Sequence, residues 1–220
     1  MGLSVMDQHL LFLINHSWAV PWLDMPMAAA SSWDFWWPPA IVGGLLLLIF
    51  GRKRGFVFLL LAGVSVGVTD ALVVDSLKGL VGRPRPHEIL EGVRTLDLAK
   101  AEPRILAIGK PLRVKYSVAR IHPPVGNSFP SGHASNNFAV ATVCAVVYRR
   151  WGWLAFLPAA FVSYSRIYVG SHWPLDVIVS CFLGTGIALL VMALATWAWR
   201  TWGPKLLPRW SGKYPELLRS

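Results

Sequence analysis

The chain is poor in charge. Of 220 residues, 15% are Asp, Glu, Lys or Arg, against 55% hydrophobic residues. A soluble domain carries roughly 25% charge, so an ordinary cytosolic enzyme is excluded. Cysteine is scarce as well. Cys144 and Cys181 each sit in an apolar run, as small buried residues do. No Cys/His spacing resembles a zinc site, and no internal period marks a solenoid. The first Lys or Arg is Arg52, so no basic region leads a cleavable signal peptide. The length allows one domain, 1–220.

What is present points to a bilayer. Twelve tryptophans lie on or beside the apolar runs, and Trp collects where one end of a ring is dry and the other wet. The net charge of +10 could suggest nucleic acid. The bases, however, fall in short clusters between apolar runs and are not interleaved with aromatics, so nucleic-acid binding is a poor reading.

The pattern predicts an all-α integral membrane bundle of about five transmembrane helices. Residues 6–18 are apolar but interrupted and too short to span, which suggests an interfacial helix. Residues 23–32 are ambiguous. The predicted spans are 35–50, 55–77, 134–148, 151–170 and 174–199. Arg52, Lys53 and Arg54, then Arg149 and Arg150, then the basic tail all fall on one side by alternation. The positive-inside rule makes that side cytoplasmic. The long insertion 79–129 then lies outside, and a loop of that length is functional or disordered. Its mixed charges read as a solvated surface, with a basic lid over an anionic headgroup as the alternative.

Three stretches carry the chemistry: Lys78 to Pro86, Pro130 to His133, and Ser165 to Asp176. Each lies at the same-side end of a different span, so topology alone brings them to one membrane face. Lys78, Arg85 and Arg166 place three cations at one depth, which is costly unless an anion joins them. Guanidinium forks suit phosphate oxygens. Ser131 and Gly132 open a helix, whose N-terminal amides favour an anion. His133 and His172 complete the set. Asp176 follows His172 by four residues, so one helical turn would let the carboxylate fix the imidazole tautomer. A phosphate cradle with an oriented histidine and a second histidine reads as phosphoryl transfer through a phosphohistidine.

The pattern Lys-x6-Arg-Pro, Pro-Ser-Gly-His and Ser-Arg-x5-His-x3-Asp resembles the type 2 phosphatidic acid phosphatase superfamily. It matches at Lys78, Arg85, Pro86, Pro130, Ser131, Gly132, His133, Ser165, Arg166, His172 and Asp176, without departure in type or spacing. The resemblance covers a core of about 55–200. It implies a helical membrane bundle with His172 as nucleophile, Asp176 as its orienter and His133 as general acid and then base. Lys78, Arg85, Ser131, Gly132 and Arg166 would hold the phosphoryl group. The expected substrate is a lipid phosphate or lipid diphosphate, cleaved without metal or cofactor at the extracytoplasmic face of a bacterial inner membrane. The rivals are a phosphatase for a soluble sugar phosphate and a non-catalytic lipid-phosphate binder or transporter.

Other polar residues have plainer readings. Arg83 lies outside the motif and reads as a headgroup contact. His9, His16, His87 and His122 lack an orienting carboxylate and read as surface groups. Asp75 precedes Lys78 by three, and pairing with it is preferred over direct chemistry. Asp70 lies inside a span, where an ionisable group is a functional candidate. Asn136 and Asn137 read as interhelical hydrogen bonders.

Overall fold

A computed structural model describes residues 2–118 and 127–218 of the chain. Helix α1 (Gly2–Phe12) runs on through a π turn, Leu13–Ser17, to α2 (Pro21–Ser31) and α3 (Trp33–Phe50). Next come α4 (Arg52–Val68), a π segment (Thr69–Val74) and α5 (Asp75–Val81), in near-continuous succession. The long insertion holds α6 (Pro86–Ile89) and an antiparallel pair, β1 (Arg94–Asp97) and β2 (Arg113–Tyr116). Helices α7 (Gly132–Tyr148), α8 (Phe156–Tyr168), α9 (Pro174–Leu206) and α10 (Pro208–Lys213) complete the fold. Proline opens α2, α6, α9 and α10, where its missing N–H costs nothing.

Helix α3, the run from Arg52 to Ile89, and α9 are long and apolar enough to cross a bilayer. Helix α7, at 17 residues, starts two residues before the expected span 134–148, and α8, at 13, is shorter than the expected 151–170. At 1.5 Å per residue α7 extends only about 26 Å, a little less than a hydrocarbon core. It can be short because it is the central helix, packed against α4, α8 and α9. Its crossing with α9 is the tightest point. A Cβ on Gly184 would lie 1.9 Å from the Ser135 carbonyl oxygen, so the two backbones touch, as small residues permit in membranes. Helix α3 stands at the rim: Ile41, Leu45, Ile49 and Phe50 are exposed, as a lipid-facing surface would be.

Two apolar cores result. One, around Val57, Leu61, Val143, Ile187 and Met192, fills the bundle between α4, α7 and α9. The other, around Leu11, Met27, Leu98, Tyr168 and Trp173, joins the N-terminal helices and the insertion to the ends of α8 and α9.

Residues 6–18 therefore do more than lie at an interface. Leu11, Asp7 and Asn15 are fully buried. Asn15 donates to the Arg94 and Tyr168 carbonyls and accepts from the Arg94 amide, at 2.7–2.9 Å. Asn15, one of the polar interruptions of this apolar segment, is a docking contact. The ambiguous residues 23–32 form α2, with Met27 to Ala30 buried. The described part of the insertion is likewise packed into the fold: Val93, Leu98 and Ala107 are fully buried. Arg94 points inward to Asp24 and Arg104 pairs with Asp97, so neither takes part in a lid. His122 lies outside the described residues.

Candidate active site

The three motif stretches meet at one end of the bundle. Arg166, Arg85 and Lys78 all lie close enough to act electrostatically on His133, and Arg166, Arg85 and His133 on His172. The motifs reach this end by different local devices. Lys78 sits in the last turn of α5, 3.9 Å from Asp75, the expected i,i+3 pair. Arg85 precedes α6, and its backbone N–H donates to Glu88 Oε2 at 2.8 Å. Ser131 is the N-cap of α7, so Gly132 and His133 occupy its first turn, where amides have no intrahelical acceptor. The Ser131 amide itself is taken, donating to Ser180 Oγ at 2.8 Å. Ser131 therefore offers the site its hydroxyl rather than its N–H.

Arg166 lies in the last turn of α8 and is buried. Its Nη1 donates to the Ser31 carbonyl oxygen at 2.8 Å and to the Ser31 hydroxyl, which aims the guanidinium across the site. Gly170 turns the chain from α8 towards His172. Its φ is +69°, and a Cβ there would meet Val93 Cγ1 at 2.7 Å and the Arg94 carbonyl at 2.8 Å. Glycine is thus required both by the turn and by the insertion packed on it.

His172 is 3% exposed, and its Nδ1 bonds to the Ser128 carbonyl oxygen at 2.7 Å. A carbonyl only accepts, so Nδ1 carries the hydrogen and Nε2 of the neutral ring carries the lone pair. Burial holds this imidazole well below the ordinary histidine range, reinforced by Arg166 and Arg85 and opposed by the Ser128 bond.

Asp176 does not orient His172 directly, contrary to the spacing argument. It accepts from Ser128 Oγ at 2.6 Å and from Arg83 Nη1. The reason is local: α9 begins at Pro174, so Asp176 is helical while His172 lies in the preceding turn, and the i,i+4 geometry never forms. The carboxylate acts one residue removed, by holding Ser128. Arg83 is not a headgroup contact either. It bridges Asp176 and Asp7 and lies 4.9 Å from the centroid of the Trp173 ring.

Sequence reasoning missed Ser128, Asp7, Ser31 and Ser180, and misread Arg83. Asp7 carried a usable signal, since an acid within an apolar helix implies a partner. The serines carry none, because their partners lie 44 to 135 positions away along the chain. Asp70 accepts from Asn136 Nδ2 at 2.9 Å, an interhelical bond between the π segment and α7. Asn137 instead bonds back to the His133 carbonyl in its own helix.

Ser131 Oγ, His133 Nε2 and Arg166 Nε are buried and have no hydrogen-bond partner among the described residues. Such atoms cost about 1–3 kcal/mol each, so each calls for a partner that the described residues do not supply. Here they stand beside three cations and an imidazole with a fixed lone pair. A helical membrane bundle with this site is a phosphate-handling membrane enzyme. Residues 55–200 match the PAP2 superfamily, and the chain belongs to that family. It is 35% identical over 153 residues to an undecaprenyl-diphosphatase of Sulfolobus acidocaldarius, covering 69% of each chain. It is 28% identical over 187 residues to a lipid A 4'-phosphatase of Bacteroides thetaiotaomicron, covering 83% of this chain and 73% of that one. The crystal structure of Aquifex aeolicus LpxE superposes with a TM-score of 0.58 at 25% identity, covering 86% of this chain and 95% of that one.

Proposed function

We propose that this integral membrane phosphatase hydrolyses a lipid phosphate or lipid diphosphate through a phosphohistidine on His172. The carrying observation is the set of buried, unpartnered Ser131 Oγ, His133 Nε2 and Arg166 Nε beside the fixed imidazole. Lys78, Arg85, Arg166, the Ser131 hydroxyl and the Gly132 amide hold the phosphoryl oxygens. His172 Nε2 attacks phosphorus, the bond to the leaving oxygen breaks, and His133 gives that oxygen a proton. His133 then takes a proton from water, whose oxygen attacks phosphorus and breaks the P–N bond, releasing phosphate and restoring His172. The substrate's negative charge supplies the counter-ion that lets His133 hold a proton among three cations. The relatives' names supply the substrate class, undecaprenyl diphosphate and lipid A phosphates.

The test is release of inorganic phosphate by detergent-solubilised protein from a panel of undecaprenyl diphosphate, phosphatidic acid, phosphatidylglycerol phosphate and lipid A. Turnover of a lipid, lost in His172→Ala, is the expected result. Turnover of sugar phosphates alone moves the substrate into water, and binding without release makes the protein a carrier.

The whole chain, 1–220, works as one domain with its site on the extracytoplasmic face. The opposite end gathers the basic groups: Lys53 donates to the Glu216 carbonyl at 3.2 Å and lies 4.2 Å from the Tyr214 ring centroid. The Arg52–Arg54 turn and the C-terminal segment thus share that end, the arrangement the positive-inside rule favours for the cytoplasm. A cysteine at exposed Lys110, with Cys144 and Cys181 replaced, should react with an impermeant thiol reagent in intact cells. Labelling only after lysis inverts the topology.

A further inference from the structure

Helix α1 lies outside the residues that match the family, yet one of its side chains belongs to the network behind His172. Asp7 is fully buried. Its Oδ1 accepts from the Leu175 amide at 2.9 Å, in the first turn of α9, and its Oδ2 accepts from Arg83 Nη2 at 2.6 Å. Arg83 Nη1 donates to Asp176, and Asp176 holds the Ser128 hydroxyl. The Arg83 carbonyl accepts from the Ser128 amide at 2.8 Å. Ser128 is therefore gripped twice from Arg83, once through its backbone and once through Asp176, and its carbonyl receives His172 Nδ1.

We propose that Asp7 and Arg83 are positioning residues for the phosphoryl transfer, and that α1 is a strut fixing the direction of His172 Nε2. The proposal rests on the reading of His172 as nucleophile. A guanidinium is planar, with donors in a fixed fork, so two carboxylates on opposite nitrogens leave it a single orientation. Without the Asp7 charge, Arg83 answers to Asp176 alone. The Leu175 amide also loses its anionic acceptor, and the start of α9, which carries Asp176, is released. Both terminal nitrogens of Arg83 are committed to carboxylates, and Asp7 is sealed from solvent. The consequence therefore falls on the attack geometry and not on phosphate binding. A misplacement of about 1 Å at a reacting atom costs on the order of 10²-fold in rate.

The experiment compares full-length wild type with Asp7→Asn, Arg83→Lys, Ser128→Ala, the Asp7→Asn/Ser128→Ala double variant and His172→Ala. It uses detergent solution and a lipid phosphate that the wild type turns over. Rapid-quench single-turnover assays read phosphoenzyme formation, steady-state assays read kcat and KM, and thermal midpoints confirm folding. Ser128→Ala keeps the carbonyl that receives His172 and loses only the hydroxyl tie to Asp176. Arg83→Lys keeps the charge but cannot fork between two acids. Asp7→Asn and Arg83→Lys should each slow phosphoenzyme formation roughly 10- to 100-fold, with KM changed less than about threefold. The double variant should be no slower than its slower parent, because both changes break one chain of contacts.

Full-rate phosphorylation in folded Asp7→Asn, a loss confined to KM, or losses that multiply in the double variant would each overturn the proposal. If Asp7→Asn does not fold, Arg83→Lys and Ser128→Ala decide by the same criteria. A phosphoenzyme that survives His172→Ala removes the nucleophile reading and the proposal with it. A full-rate Asp7→Asn beside a dead His172→Ala removes the proposal alone.

Discussion

Behind His172 the links are closed: Nδ1 to the Ser128 carbonyl, Ser128 Oγ to Asp176, and Asp176 to Arg83, which also holds Asp7. Around His133 the opposite holds. Its own Nε2, the neighbouring Ser131 Oγ and the Nε of Arg166 are buried with no partner among the described residues. The direction of the proposed nucleophile is therefore set before any substrate arrives, whereas the half proposed to bind phosphate lacks partners that an anion would supply. This division suits the chemistry. Attack on phosphorus needs a lone pair held at a fixed angle, and charge stabilisation needs donors whose capacity is not already spent within the protein.

The sharpest way to break the comparison is at His133. A lipid alkoxide leaving group must be protonated as its bond breaks, while a lipid phosphate leaving from a diphosphate is far less basic. His133→Ala should slow single-turnover phosphorylation by a monophosphate about 10²- to 10⁴-fold, the usual worth of a general acid. The loss on a diphosphate of the same lipid should be much smaller. Equal losses would place His133 among the binding groups and erase its distinct role.

A smaller effect tests how the unsatisfied half is aimed. Ser31→Ala removes one of the two acceptors on Arg166 Nη1 and keeps the carbonyl. Losing one hydrogen bond of about 1 kcal/mol should raise KM several-fold and leave the single-turnover rate nearly intact. A fall in rate at constant KM would assign Ser31 to the attack geometry and blur the two halves.

The last effect is in pH. His172 is held neutral well below the ordinary histidine value by burial and by Arg166 and Arg85. The unfolded chain takes up a proton near pH 6.5 and the folded chain does not. Stability therefore falls as pH drops below about 6.5, by at most about 1.4 kcal/mol per pH unit from this group. His172→Gln should flatten that slope in detergent melts between pH 7 and 5. The same depression keeps the Nε2 lone pair free in mild acid, so no loss of kcat/KM near pH 6.5 should trace to His172. An unchanged melting slope in His172→Gln would show that the imidazole is not held neutral.

Much of the site was legible because its parts are tied to span ends. Three motifs at same-side ends must share a membrane face, and the structure brings Lys78, Arg85, Ser131, Gly132, His133, Arg166 and His172 to one place. The Asp75–Lys78 pair followed from i,i+3 spacing. The role of Asp176 did not, because the helical argument presumed a helix that starts only at Pro174. Arg83 was misread because its two partners are distant in sequence. The described part of the insertion, read as a solvated loop, is pinned inward by Arg94 and Asp24 and by apolar residues whose period was too short to declare a strand.

The sequence by itself determined the solvent, the handful of span ends and the charges gathered at one of them. Hydropathy and motif spacing are local properties, and they survive in any arrangement of the helices. Only the tertiary structure decided which acid serves which base. Asp7 meets the Leu175 amide across 168 positions of chain and Arg83 across 76, while Ser128 meets His172 across 44. Those pairings follow from how α1, α7 and α9 pack, with Ser135 against Gly184 setting the closest approach, and no periodicity along the chain encodes that distance.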